Sequence, residues 1–322
     1  ALRKATAQAH HVLMSSRPRL LLSAAAFTLA SRIIATPTVH STSMGIHTNV
    51  EARVTTAHSF TGRMCAASRW EESQRSDSLF DEPQAYKLAG NEGRASPMGG
   101  WIMVPRTAFG DNFLRQHYAK GARQLVLLGA GMDARAYRMT GMEQLRVFEV
   151  DQQTTFDVKE PLLETDELRV QQRSVVATEF SRPGQWGRDL EAAGFDTSVP
   201  TVWLLEGLLM YLSLDDTHIL MREVGRLSAV GSAVFHDAVS AQYVANGRGP
   251  VVAGAKFIGG SDDYGKLWAT AGGFEKTFAH DFESVRVDRR RRGLAIDQGV
   301  PEATAQRCRG RNVVLFVTAE RV

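Results

Sequence analysis

The chain has 322 residues, 43% hydrophobic and 23% charged, which is the balance of a globular protein able to bury a full core. A net charge of +3 is too mild to imply a nucleic-acid partner. Two cysteines, Cys65 and Cys308, without C-x-x-C or Cys/His spacing, indicate neither a zinc site nor a disulfide framework and fit a reducing compartment.

Residues 1–57 read as a non-core extension. The first fifty contain no Asp or Glu, carry Arg3, Lys4, Arg17, Arg19 and Arg32, and are rich in Ser, Thr and Ala, the profile of a mitochondrial or plastid transit peptide. Two alternatives stay open. Leu20 to Ala30 behind Arg17 and Arg19 could be a secretory apolar region if translation began at Met14, and the true start could be Met44, which would leave a cytoplasmic protein. The apolar stretch is too short to span a bilayer, so no stable membrane insertion is expected.

Residues 58–322 form the second unit. Ser59 to Gly90 has helical spacing and Gly90 to Gly100 is a Gly/Pro/Ser-containing break, together an N-terminal helical cap. From Leu125 short apolar runs alternate with helical stretches. Leu125 to Leu128, Val147 to Val150, Val175 to Ala177, Val202 to Leu205 and Ala233 to Phe235 are expected strands, and Thr277 to Phe278 and Val313 to Thr318 supply a last pair. The alternation specifies an α/β fold, a doubly wound, mostly parallel seven-stranded sheet of the Rossmann-like kind.

The chemistry concentrates between Gln124 and Asp151. A buried strand leads into Gly129-Ala130-Gly131, a helical stretch follows, and a second apolar strand stops at Asp151, twenty positions past Gly131. Glycines let the backbone approach a ligand, and an acid at the end of the second strand can accept from both ribose hydroxyls. A dinucleotide would set its pyrophosphate against the following helix N-terminus, where Asp133 stands and would repel it. The same carboxylate can cap the helix and tolerate a cofactor carrying a sulfonium and an ammonium. S-adenosylmethionine is therefore favoured, and an NAD-dependent oxidoreductase stays open because G-x-G-x-x-A, ending at Ala134, satisfies the relaxed dinucleotide fingerprint.

Farther along, Glu206 follows Val-Trp-Leu-Leu at the top of a strand. A charge there calls for a cationic partner, either the cofactor's ammonium or a neighbouring Arg.

The blocks VLLGAGMDARAYRM, FEVDQ and LLEGLLMYL, with upstream TGRMCAASRWEESQRSDSLFDEPQAYKLAG and VPRTAFGDNFL and a final VVLFVTAERV, resemble the leucine carboxyl methyltransferase family over about Ser59 to Val322. Similarity is low between Ala238 and Gln306. The resemblance implies an S-adenosylmethionine-dependent methyltransferase with Glu179 and Phe180, where the family usually has Asp-Leu, against the adenine. It also implies Arg63 and Arg106 folded over the site, where an Arg fork can hold the methionine carboxylate.

Methyl transfer needs alignment and water exclusion more than a nucleophile from the protein. A carboxylate acceptor, on a small molecule or at a protein C-terminus, needs no base. A hydroxyl acceptor needs one, for which Tyr211 is the catalytic candidate, with His236 and Asp237 nearby. Arg289 to Arg292 reads as a solvated surface outside the site. A non-catalytic relative that keeps the cofactor as a structural ligand is the remaining alternative.

Overall fold

The computed structural model describes residues 57–180, 184–246, 251–252, 254–296 and 310–322. The targeting expectation, and Cys308, fall on residues outside that set. No helix among the described residues is long and apolar enough to cross a membrane.

Three helices precede the sheet: α1 (Ala57–Ser73), α2 (Ala85–Ala95) and α3 (Gly100–Ala119). Ala66 and Ala67 of α1 and Leu88 and Ala89 of α2 are buried together, and small residues let the two axes approach closely. The break expected to begin at Gly90 is a kink instead. Gly90 takes φ 57° and ψ −179°, and α2 resumes to Ala95.

The rest alternates: β1 (Gln124–Leu128), α4 (Arg135–Arg138), β2 (Met142–Asp151), α5 (Gln153–Leu163), β3 (Val170–Ala177), α6 (Gln185–Ala192), β4 (Thr201–Leu205), α7 (Leu214–Leu227), β5 (Ala233–Val239) and α8 (Ala241–Ala245). A less regular stretch follows with β6 (Val251–Val252), β7 (Ala255–Lys256), α9 (Tyr264–Leu267), β8 (Lys276–Asp281), β9 (Val285–Asp288), β10 (Gly293–Ile296) and β11 (Val314–Glu320). The helical stretch expected after the glycines is a single turn, α4, because the chain is soon recruited into β2.

Seven strands form one sheet in the order β3-β2-β1-β4-β5-β11-β8. The first five are parallel and β11 runs antiparallel to both β5 and β8. Strand order reverses between β1 and β4, so the crevice of an open parallel sheet opens at their carboxyl ends. Side chains alternate across β1: Leu125 and Leu127 enter the core beneath α1–α3, while Val126 and Leu128 enter the opposite core with Trp186, Trp203 and Trp268. Two-sided burial explains why β1 and β4 are apolar from their second residue onward. Edge strand β3 begins five residues earlier than its apolar run because Gln172, Arg173 and Ser174 extend the parallel ladder with Arg146, Val147 and Phe148 of β2.

Within β2, fully buried Glu149 accepts from Lys159 Nζ at 2.6 Å and from Arg173 Nε at 2.8 Å and Nη2 at 2.7 Å. Pairing on both sides makes a carboxylate tolerable there.

His236 on β5 is buried and its Nε2 accepts from the Trp268 indole at 2.9 Å. Burial lowers its pKa from 6.5 to about 4, so the ring is neutral and structural. The unfolded chain takes up this proton near pH 6.5 and the folded chain only near pH 4, so unfolding binds a proton between those values. Stability is therefore lost as pH falls through this window, by up to about 3 kcal/mol. Urea titrations at pH 7 and 4.5 should show a smaller acid loss in His236→Gln than in wild type; equal losses would refute this origin.

Candidate functional site

The turn after β1 needs glycine: Gly129 has φ 70° and Gly131 φ 48°, both in the left-handed region. The amides of Gly129 and Ala130 donate to Val150 O at 2.9 and 3.2 Å, tying the turn to the end of β2. Asp151 faces it. Its Oδ2 accepts from Gly131 N at 2.7 Å, and its Oδ1 accepts from Gln152 N at 2.7 Å and Thr155 Oγ1 at 3.0 Å. Burial pushes the Asp151 carboxyl above its ordinary pKa, and these three donors pull the other way. Oδ1 is filled by its two donors, while Oδ2, with one, keeps acceptor capacity for a further donor such as a ribose hydroxyl. Thr155, absent from the sequence reading, is the residue that sets the carboxylate's rotation. A hydroxyl four residues after the strand-end acid was its only sequence signal.

α1 crosses the same turn at Gly62, where the position of a Cβ is 3.3 Å from Met132 Cγ and 3.7 Å from Gly131 Cα. The next residue, Arg63, is 5% exposed, and its Nε is buried without a hydrogen-bond partner. Among the described residues Arg63 forms no ion pair. A guanidinium so desolvated is costly unless an anion meets it. The carboxylate of an amino-acid moiety, on a cofactor whose ribose lies at Asp151, fits that requirement.

Arg106 differs. Its Nη1 donates to Asp237 Oδ2 at 3.0 Å and its Nε lies 3.3 Å from Glu206 Oε2. Glu206 also receives Arg135 Nη2 at 2.7 Å, so two guanidiniums meet this carboxylate. The buried Arg135 further binds Asp111 Oδ1 at 2.8 Å and Asp133. Asp111 continues to Arg138, Arg138 to Glu82, Glu82 to Arg69, and Arg69 reaches Met132 O beside the turn. α3 comes close enough to cover this chain of charges only at a glycine, since a Cβ on Gly110 would lie 2.5 Å from Glu206 Oε1. Arg135 is not among the residues that the sequence singles out; its one local signal is the position two after Asp133, whose Oδ1 accepts from Arg135 N at 2.7 Å.

Burial raises the Glu206 carboxyl although Arg135 and Arg106 oppose it. For Asp133 burial also works upward, but Arg135 and Arg69 outweigh it and leave the pKa at about 2.

Glu179 and Phe180 sit past the end of β3, on the same sheet edge as Asp151. Glu179 is exposed and accepts from Gln152 Nε2 at 3.3 Å, while half-buried Phe180 packs near Trp186 at 6.2 Å between ring centroids. Tyr211 lies in the turn after β4, its ring 5.2 Å from Phe257. Burial, with the nearby Cys65 and Asp237, pushes its phenol up to about 12. At neutral pH Tyr211 is protonated and can donate a hydrogen bond, not accept a proton. Asp237 is committed to Arg106 and to Gly207 N at 2.5 Å. Of the arginines bordering Arg289 to Arg292, Arg289 pairs with Glu72 and Arg292 donates to Ser76 O at 2.9 Å, so this run docks on α1 and its following loop.

The profile of the family described as leucine carboxyl methyltransferase matches residues 59–225. A Streptomyces coelicolor protein named "Putative S-adenosyl-L-methionine-dependent methyltransferase" is 38% identical over 177 residues, 50% of this chain and 62% of that protein. A Frankia alni protein of the same description is 36% identical over 206 residues, 59% of this chain and 72% of that protein. The chain spans about three-fifths of the length of the first such relatives, 62% in two Streptomyces proteins. Among solved structures, a duf574 family protein from Streptomyces avermitilis is 14% identical with TM-score 0.48, covering 80% of this chain and 97% of that one. One from Thermobifida fusca, titled a putative methyltransferase, is 15% identical with TM-score 0.47, covering 87% and 99%.

Proposed function

The chain belongs to the leucine carboxyl methyltransferase family, and from that premise we propose that it is an S-adenosylmethionine-dependent O-methyltransferase whose acceptor is a carboxylate, on a small molecule or at a protein C-terminus. The observation that carries this reading is the pairing of Asp151 and Arg63 around one glycine turn. One offers an acceptor oxygen where a ribose diol would lie; the other is a buried guanidinium with no anion among the described residues. When bound, S-adenosylmethionine supplies a methyl group made electrophilic by its sulfonium.

In this proposal Asp151 orients the ribose and Arg63 holds the methionine carboxylate. Glu179 and Phe180 bracket the adenine. Glu206, already facing Arg106 and Arg135, offers its remaining acceptor capacity to the ammonium, and Arg106 sets where Glu206 stands. α1–α3 exclude water from the crevice. The proton inventory favours a carboxylate over a hydroxyl acceptor. His236 accepts from Trp268, Asp237 is held by Arg106 and Gly207, and Tyr211 is protonated, so none of the three is a ready base. A carboxylate is ionised at neutral pH and needs none; Tyr211 can align it by donating. The dinucleotide alternative is disfavoured by α4, whose one turn offers little dipole, and by Asp133, ionised beside the place a pyrophosphate would take.

Incubation with methyl-labelled donor and a cell extract should deposit label that is released by mild base, as a carboxyl ester is. Stable label would redirect the reading to a hydroxyl acceptor, and cofactor binding with no transfer to any pool would leave a non-catalytic relative. Arg63→Met is expected to weaken S-adenosylmethionine binding about tenfold to a hundredfold, the worth of a charge-assisted pair, with no loss of urea stability. Unchanged affinity by calorimetry would remove Arg63 from the site.

A further inference from the structure

A cavity of about 410 Å³ lies under α3, and its lining includes neither the glycine turn nor Asp151. Thr140 and Arg169, which line it, stand just ahead of β2 and β3 and so mark the amino ends of those strands. Its volume falls in the range of small-molecule sites. Phe80, Ala108 and Tyr137 provide apolar wall, and Arg115, Arg169 and Arg292 converge on it from three separate elements.

The charges do not cancel. Arg138, also on the wall, is neutralised by Asp111 and Glu82. Arg115 donates to Thr140 O at 3.2 Å and Arg292 to Ser76 O at 2.9 Å, both neutral carbonyls. Among the described residues none of Arg115, Arg169 and Arg292 forms an ion pair, and Asp81 is the one lining carboxylate not committed elsewhere. Two positive charges remain in excess. Arg292 is held there by a left-handed backbone, φ 46°, the one non-glycine residue so placed among those described. A second, independent feature is Gln84. It lines the cavity at 8% exposure, its Nε2 donates to Asp166, and its buried Oε1 has no hydrogen-bond partner.

We propose that this cavity is a second binding site, for a small organic anion whose apolar body also carries a hydrogen-bond donor. The carboxylate or phosphate meets the guanidiniums of Arg115, Arg169 and Arg292, the body lies against Phe80 and Tyr137, and the donor satisfies Gln84 Oε1. The site does not depend on the methyl-transfer reading, since none of these residues contacts the glycine turn or Asp151.

Calorimetry on the full chain, with excess S-adenosylhomocysteine present to occupy the sheet-edge crevice, tests it with 4-hydroxybenzoate and 4-nitrophenyl phosphate as probes. At least one anion should bind with 1:1 stoichiometry, and neutral 4-hydroxybenzyl alcohol should bind about tenfold or more weakly. Arg169→Gln and Arg115→Gln should each raise Kd about tenfold, with Arg169→Lys intermediate. Both arginines are exposed and, among the described residues, not ion-paired, so the melting temperature should not move and the loss reports binding alone. Preference for the phosphate or the carboxylate probe identifies the anion class. No heat with either anion, equal binding of the alcohol, or a Kd unchanged in both variants overturns the proposal.

Discussion

Asp151→Ala is expected to weaken S-adenosylmethionine binding by about a hundredfold or more, because a charge-assisted contact to the ribose is lost together with the acceptor that holds the Gly131 amide. The same carboxylate accepts from Gly131 N, Gln152 N and Thr155 Oγ1, so the variant also loosens the turn that approaches the cofactor. Thr155→Val separates the two effects. It removes one of the three internal hydrogen bonds and leaves the carboxylate charge, so its affinity loss should stay within about tenfold. Calorimetric affinity unchanged in Asp151→Ala would reject the nucleoside site altogether, whatever its effect on stability.

Arg135→Met carries the largest expected cost to folding, about 3–5 kcal/mol in urea, since it removes the one ion pair of Asp133 among the described residues and one of the two guanidiniums that meet each of the buried Asp111 and Glu206. The loss should depend on pH. In the wild type Asp133 titrates near 2 in the folded state against 3.8 ordinarily, so its contribution of about 2 kcal/mol is present above pH 4 and vanishes as pH falls toward 2. Without the guanidinium the three carboxylates crowd one another and their folded pKa values rise. The variant should then lose less relative to wild type at pH 5 than at pH 8. A deficit below about 1 kcal/mol at pH 8 would mean that the network is wetter, and worth less, than its burial implies.

Strands β1, β2 and β4 and the glycine turn were legible because their signals are local. An apolar run buried on both faces ends at a residue that must be small, and the acid closing the next parallel strand falls beside it by register: Leu128 pairs with Val150, one position before Asp151. Edge strand β3 was half legible, since only its carboxyl half is apolar. The kink at Gly90 and the one-turn α4 were not, because each is set by what packs against it. The charged network was the least visible. Arg135 and Glu206 are separated by 71 positions and Arg106 and Asp237 by 131. No local pattern announces a pairing at that distance.

From the residues alone come the α/β alternation, the nucleoside-type turn, and the preference for a cationic, phosphate-free tail, all of which depend on near neighbours in the chain. Tertiary structure alone distinguishes the two candidate arginines, leaving Arg63 buried without a carboxylate among the described residues while Arg106 is held by Glu206 and Asp237. It also places Arg292, still exposed, at the wall of a cavity. The reason is the same in each case: what a charge does depends on which opposite charge and how much water the fold brings to it, and those arrive from distant parts of the chain.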